Sequence, residues 1–501
     1  VRKILFGLVL GSLCTAQAVA QIYYVSPTGS DTYPGTFDSS FATITKAVSV
    51  ATPGTTIYLR GGTYALASTI SISKSGTASD TYNLLAYPGE RPLLDFSAMP
   101  VSSSNRGINL SGSYWYIKAL DIYRAGDNGM HITGSNNVIE FCSFAENSDT
   151  GLQLDGGASN NQIINCDSYY NMDPGQGNAD GFAPKLTVGS GNYFYGCRAW
   201  QNSDDGWDGY LRGANNVTTT IENCWCFANG YLKTGGPSTG NGNGYKLGGS
   251  DNKDLQHDMI LKNCLAFANR VKGYDQNNNR GSMVLYNCSA HMNGTNYSIS
   301  QTLAAEESLV VKNCLVLGYF GSIGSFGVQQ TNSWMGFVVS NEDFVSIDTV
   351  GLRAPRNVDG SLPDTQYMHL AQGSDLIDAG TDVGLPFNGS APDLGCFEVK
   401  GATSVGPLRT VASMFRLEQN YPNPFNPETT IRYAIPVEKY NYTSLRVYDL
   451  LGREVAVLVD AWQAPGSYSV TFDARGLASG VYLYRLAIGG NVDVKRLTLL
   501  R

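Results

Sequence analysis

Six times in this chain a cysteine is followed five residues later by an asparagine: Cys142 and Asn147, Cys166 and Asn171, Cys197 and Asn202, Cys224 and Asn229, Cys264 and Asn269, Cys288 and Asn293. Two residue types held at one offset through otherwise unrelated sequence mark a structural repeat. In three rungs a glycine comes four residues after the asparagine (Gly151, Gly206, Gly273), and in two it follows a longer insertion (Gly181, Gly244). The next residue is large and apolar or aromatic: Leu152, Phe182, Trp207, Tyr245, Tyr274. Repeats of roughly 22 to 30 residues, with short period-two runs between Gly and Asn turns, cannot bury a face singly and must stack. The pattern predicts an all-β chain built on a parallel β-helix.

In such a solenoid the Cys and Asn positions become columns, one coil above the next at about 4.8 Å. Asn tolerates left-handed backbone and can hydrogen-bond along its own column and to the turn. The cysteines are expected to be small apolar filler. Disulfides are not expected, because stacked parallel Cβ vectors have the wrong separation and direction for a bridge.

The ends differ from the middle. Arg2-Lys3, an apolar run over residues 4 to 13 and Ala18-Val19-Ala20 read as a signal peptide over residues 1–20. No later run is apolar for the ~18 residues a membrane span needs. The net charge is −8 and no Lys/Arg cluster occurs, which argues against a nucleic-acid partner. A polyanionic ligand would need bound cations to be attracted. Residues 21–400 carry the solenoid composition, with an amphipathic stretch at 41–51 suited to plugging the first coil and loops around 373–378 closing the domain. Residues 401–412 read as a linker. From 413 to 501 strand-like runs at 430–435, 445–449, 467–473 and 481–486 indicate a small β-sandwich. A monomer is expected.

The tail carries three ordered motifs: Gln419-Asn420-Tyr421-Pro422-Asn423-Pro424-Phe425-Asn426-Pro427, Val447-Tyr448-Asp449-Leu450-Leu451-Gly452-Arg453-Glu454, and Gly476-Leu477-Ala478-Ser479-Gly480-Val481-Tyr482. It resembles the type A C-terminal sorting domain of the type IX secretion system. An immunoglobulin-like carbohydrate-binding module is the alternative. The resemblance implies that the type IX machinery is a partner, that the tail is usually cleaved, and that the protein is secreted, extracellular or at the cell surface.

Alternation along each strand after the glycine places one column outward: His131, Gln153, Ala183, Asp208, Lys246, Asp275. The residues just before the glycines make a second column: Thr150, Asp180, Asp205, Asn243, Lys272. With Asp204 beside Asp205, four carboxylates (Asp180, Asp204, Asp205, Asp208) converge within two coils, and Lys246 stands on the next. Carboxylates that close repel unless protonated or bridged by a cation, and oxygen ligands without His or Cys select Ca²⁺ over zinc or copper. Two bland readings stand beside this: an Asx cap of the turn, or a purely structural calcium. The insertions at 172–180 and 230–243 fall at the same turn on either side and would wall a groove, which a merely structural turn does not need.

Asn178-Ala179-Asp180-Gly181-Phe182-Ala183-Pro184-Lys185, Asn202-Ser203-Asp204-Asp205-Gly206-Trp207-Asp208, Gly242-Asn243-Gly244-Tyr245-Lys246-Leu247-Gly248-Gly249 and Lys272-Gly273-Tyr274-Asp275-Gln276-Asn277-Asn278 resemble the pectate lyases of polysaccharide lyase family 9, in the family's order, over about residues 22–399. The resemblance implies a right-handed parallel β-helix and a Ca²⁺ held by Asp180, Asp204, Asp205 and Asp208. It also implies a base at Lys246 and β-elimination from polygalacturonate or a related pectic polysaccharide. Lys185, Lys272 and Asp275 are expected as substrate contacts. A lyase on another uronate polymer such as rhamnogalacturonan is one alternative. A polygalacturonase-type hydrolase using Asp204 and Asp205 as acid and base is another. The hydrolases carry a Gly-His-Gly segment, and none of His131, His257, His291 and His369 lies between glycines. A non-enzymatic glycan binder is a third.

Overall fold

A computed structural model describes residues 21–357, 359–399, 416–417, 419–420, 422–435, 441–449, 453–463, 466–488 and 491–500. The signal-peptide and linker readings lie outside the described residues. Two compact units are present.

The first is a parallel solenoid. Each coil visits three sheets in turn, as in Val138–Glu140, Ser143–Ala145 and Leu152–Leu154, and the sheets hold twelve, ten and ten strands. Every strand pair in them is parallel and in register, so each position of the repeat becomes a column. The third sheet carries the inward column Met130, Leu152, Phe182, Trp207, Tyr245, Tyr274 and Tyr297, each with no exposed surface. From Phe182 to Tyr297 the rings follow one another at 4.8, 5.0, 5.2 and 5.0 Å, the spacing of the coils themselves. The buried tyrosine hydroxyls donate to backbone carbonyls of Cys224, Cys264 and Cys288 at 2.7–2.8 Å, so the ladder buries no unsatisfied phenol.

Both sequence columns form. Cys142, Cys166, Cys197, Cys224, Cys264 and Cys288 are buried free thiols, and Cys314 extends the column by one coil. The asparagines from 147 to 293 make a ladder in which each Nδ2 donates to the next Oδ1 at 2.8–3.0 Å. Each backbone N–H on the way donates to the same oxygen at 3.0–3.3 Å. The turn between the second and third sheets is thereby fixed from coil to coil. Its glycines are steric necessities: a Cβ on Gly206 would collide with Cys226 Sγ. A second ladder, Asn137–Asn161–Asn192, holds the turn into the first sheet.

The expected plug is the helix Ile44–Val50, capped by the Thr43 hydroxyl and burying Ile44, Ala47 and Val48 against the first coils. Outward aromatics of the second sheet are covered by the late loops, with Tyr367 against Phe267 and Phe397 against Trp225.

The second unit has a three-stranded and a four-stranded antiparallel sheet around Ile431, Tyr433, Leu445, Val447, Phe472, Tyr484 and Leu497. Two of its strands, Glu454–Gln463 and Asn491–Leu499, were not expected from the sequence. Asn420 of the first tail motif is buried, with its N–H on the Tyr484 hydroxyl and its amide on Thr429 Oγ1. No helix among the described residues is long and apolar enough to cross a membrane.

Candidate active site

The site grows from one turn and the strand that follows it. Asp180 and Asp205 stand immediately before Gly181 and Gly206, where the Asn ladder delivers the chain into the third sheet. The Asp205 N–H donates to Asp180 Oδ1 at 3.1 Å, and Asp205 Oδ1 accepts from the Asn243 N–H at 2.8 Å. One oxygen each from Asp180, Asp204 and Asp205 lies within 4.8 Å of the others. Asp208 and Lys246 are register partners on adjacent strands, as are Lys246 and Asp275.

The outward column is not exposed as its position in the repeat suggests. Asp208 is 5 % and Lys246 7 % exposed. The two insertions meet over the turn that precedes these strands. Thr239 Oγ1 donates to the Gly175 carbonyl at 3.1 Å, the Thr239 N–H donates to Gln176 Oε1 at 3.1 Å, and the Asn241 N–H donates to Asp204 Oδ1. Asp173 organises the first insertion by accepting from the N–H groups of Gly175, Asn178 and Ala179 at 3.0–3.3 Å. Between these walls lies a cleft of about 540 Å³, lined by Asp204, Asp208, Lys185, Lys246 and Tyr210.

Two lysines interleave with the four acids. Lys185 Nζ is 2.7 Å from Asp180 Oδ2 and 3.7 Å from Asp208 Oδ2. Lys246 Nζ is 3.2 Å from both Asp205 Oδ2 and Asp208 Oδ1. Four carboxylates face two ammoniums, and the electrostatics show the imbalance. Burial, with Asp205 and Asp180 adding to it, pushes Asp204 up to about 9. Burial also lifts Asp180 to about 7 against the pull of Lys185, and raises Asp205 against Lys246. Asp208 alone is held low: burial opposes ionisation there, but Lys246 and Lys185 outweigh it. Lys246 is likewise lifted well above its ordinary value, burial notwithstanding, by Asp208 and Asp205.

The structure therefore brings Asp180, Asp204, Asp205, Asp208, Lys185 and Lys246 together. Asp208 sits with the lysines and is not one of the three acids whose oxygens converge. Lys272 and Asp275 pair with each other at 2.9 Å and do not line the cleft. Tyr210, whose ring lies 5.4 Å from Lys246 Nζ, was not anticipated. A further signal in the sequence was the position two after the Asn-ladder residue. Asp149, Asp173 and Asp204 recur there, and Asp127 holds the same place in the coil below, so an acidic row runs along the cleft wall.

The donor set suits a hard divalent cation. All three converging ligands are carboxylate oxygens, and buried Asp205 Oδ2 makes no well-aligned hydrogen bond, its near partner being the Lys246 ammonium at 3.2 Å. Acids that resist ionising together gain most from a bound positive charge.

Comparison with known proteins gives a consistent picture. Residues 23–313 match the model of the Pel9A-like, right-handed β-helix region, and residues 419–499 match the secretion system C-terminal sorting domain. Pectate lyase L of Dickeya chrysanthemi is 39 % identical over 400 residues, spanning 77 % of this chain and 92 % of that protein. The crystal structure of pectate lyase Pel9A superposes with a TM-score of 0.70 at 36 % identity, covering 75 % of this chain and 96 % of that one. A rhamnogalacturonan lyase structure has a TM-score of 0.63 at 29 % identity, covering 70 % and 97 %.

Proposed function

The chain belongs to the Pel9A-like right-handed β-helix family and is a pectate lyase, and on that premise we propose that it cleaves polygalacturonate by calcium-assisted β-elimination with Lys246 as the base. The observation that carries the reading is the convergence of Asp180, Asp204 and Asp205 within 4.8 Å, with the Lys246 ammonium 3.2 Å from Asp205.

Asp180, Asp204 and Asp205 would hold Ca²⁺, with Asp208 the proposed fourth ligand. When bound, the ion supplies Lewis-acid neutralisation of the uronate carboxylate as the adjacent carbon becomes electron-rich. Lys246 takes the C5 proton on its Nζ lone pair. The C5–H electrons become the second bond between C4 and C5, the C4–O4 bond breaks, and the departing oxygen takes up a proton. No water is consumed, and one product is a 4,5-unsaturated uronate. Lys246 must be neutral to act, and the acids that keep it protonated are the same ones proposed to engage the cation. Metal loading and base activation are thus coupled through Asp205 and Asp208. Lys185 is proposed to meet a substrate carboxylate, and Lys272 with Asp275 to contact the sugar chain on the coil beyond. The sorting domain is proposed to direct secretion through the type IX machinery.

The test is ultraviolet absorbance of unsaturated uronates released from polygalacturonate. Activity should vanish in EDTA and return with added Ca²⁺. Undiminished turnover in chelator contradicts the metal assignment, and absence of any unsaturated product contradicts elimination.

A further inference from the structure

The cleft does not stop at the acids and lysines of the catalytic coils. It continues toward the N-terminal coils past Gln153, Asp149, Asn128 and Asp127 to Arg106, none of which has a role in the reaction above. The strand after Asp127, Met130–Ile132, lies three positions from Trp207–Asp208 in the third sheet and four from Tyr245–Lys246. At about 4.8 Å per coil this end of the cleft is roughly 14 to 19 Å from the reacting groups.

Its chemistry is not that of a surface salt bridge. Arg106 makes one ion pair, Nε to Asp127 Oδ2, and it is long at 3.4 Å. Nε itself is buried without a hydrogen-bond acceptor, so a guanidinium with five donors is largely unused among the described residues. Asp127 is 7 % exposed, and its carboxyl is lifted to about 6 by burial and by Asp149. Two acids that share a buried site do not both ionise freely, so they leave Arg106 incompletely neutralised and offer acceptors to hydroxyl groups. Asn128 Nδ2 donates to Gln153 Oε1 at 3.3 Å, which leaves further amide groups beside them. One guanidinium for a carboxylate, with carboxyl and amide groups for ring hydroxyls, is the donor and acceptor set of a uronate residue.

Coil spacing is close to the length of one pyranose in an extended chain, so successive sugars would lie over successive coils. Resting on the pectate-lyase reading, we propose that Arg106, Asp127 and Asp149 form a distal subsite that binds a uronate three to four residues from the bond being cleaved. The subsite makes the enzyme favour long chains over short ones, and it acts on binding, since it never touches the reacting atoms.

The experiment is calorimetric titration, with Ca²⁺ present, of hexagalacturonate and trigalacturonate into Lys246→Ala protein with and without Arg106→Ala. The Arg106 change should weaken hexamer binding about tenfold or more, as expected for a lost charged hydrogen bond. The trimer, held on the catalytic coils, should bind both proteins equally. Arg106→Lys should fall between, because it keeps the charge and loses the fork. Ca²⁺ affinity left unchanged by the Arg106 substitutions, relative to Lys246→Ala alone, shows that the coils are intact. Hexamer affinity that ignores Arg106, or a trimer weakened as much as the hexamer, overturns the subsite. Cleavage of polygalacturonate by the unmodified protein, measured alongside, tests the lyase reading separately.

Discussion

Two polar columns run side by side through the same turn of this solenoid, and they solve burial in opposite ways. The asparagines from Asn147 to Asn293 are buried and mutually satisfied, each amide donating to the next at 2.8–3.0 Å. Asp180, Asp204 and Asp205 are buried in the adjoining positions, and burial pushes all three carboxyls up. The shapes are nearly identical. The difference is that an amide carries donor and acceptor together, whereas a carboxylate only accepts. A stack of amides closes on itself, while a stack of carboxylates is open until a cation closes it. That one difference makes the ladder a scaffold and the acidic turn a proposed cation site.

The sharpest way to probe the acidic side is through its proposed base. Lys246→Ala should lower kcat about 10²- to 10⁴-fold with KM little changed, because the loss falls on proton transfer. Lys246→Arg should be nearly as damaging, since guanidinium does not give up its proton at accessible pH. An Arg variant with native turnover would show Lys246 to be an electrostatic contact only.

Exchanging the two solutions tests the scaffold side. Asn202→Asp puts a carboxylate into the ladder, where Oδ1 already accepts from Asn171 and Nδ2 donates to Asn229 at 2.9 Å. A buried, uncompensated charge there should cost about 3 to 5 kcal/mol, read as a lowered urea midpoint. A neutral result would mean that the ladder is decorative.

A smaller effect is expected at His257. Its ring is fully buried, pairing with Thr219 Oγ1 and the Gly209 carbonyl at 2.8 Å each, and burial lowers its pKa to about 4, with the Gly209 contact opposing. The unfolded chain protonates this group near 6.5 while the folded one stays neutral down to about 4. Its contribution is therefore complete above pH 6.5 and lost as pH falls toward 4, about 3 kcal/mol in all. Unfolding midpoints at pH 7 and 4.5 measure it, and His257→Gln should flatten the dependence. Smallest of all, removing residues 413–501 should leave turnover of the purified protein unchanged, a direct check that the tail takes no part in catalysis.

What could be read from the sequence follows from the same comparison. A solenoid gives every coil the same surroundings, so the Cys142 and Asn147 columns and the acids before Gly181 and Gly206 repeat visibly in the chain. What depended on chain folding back over a coil was not legible. Asp208 and Lys246 point outward in the repeat, yet both are nearly buried, paired with each other and, for Lys246, set against the Tyr210 ring. The pairing of Lys185 with Asp180 and of Lys272 with Asp275 reflects side-chain reach within a few ångströms, which a column diagram does not carry. In the tail, Glu454–Gln463 is hard to read as a strand because residues 455–459 are uniformly apolar and lack the alternation of a half-buried strand, and Val457 is exposed on an edge strand.

Calcium titration by calorimetry, comparing the unmodified protein with Asp205→Asn, tests the central claim most directly. One carboxylate of the open stack then becomes an amide of the closed kind. The account predicts that the unmodified protein binds Ca²⁺ and is stabilised against unfolding by it, whereas Asp205→Asn binds at least tenfold more weakly and is no less stable than the unmodified protein when both are metal-free. Equal calcium affinity in the two proteins would contradict it.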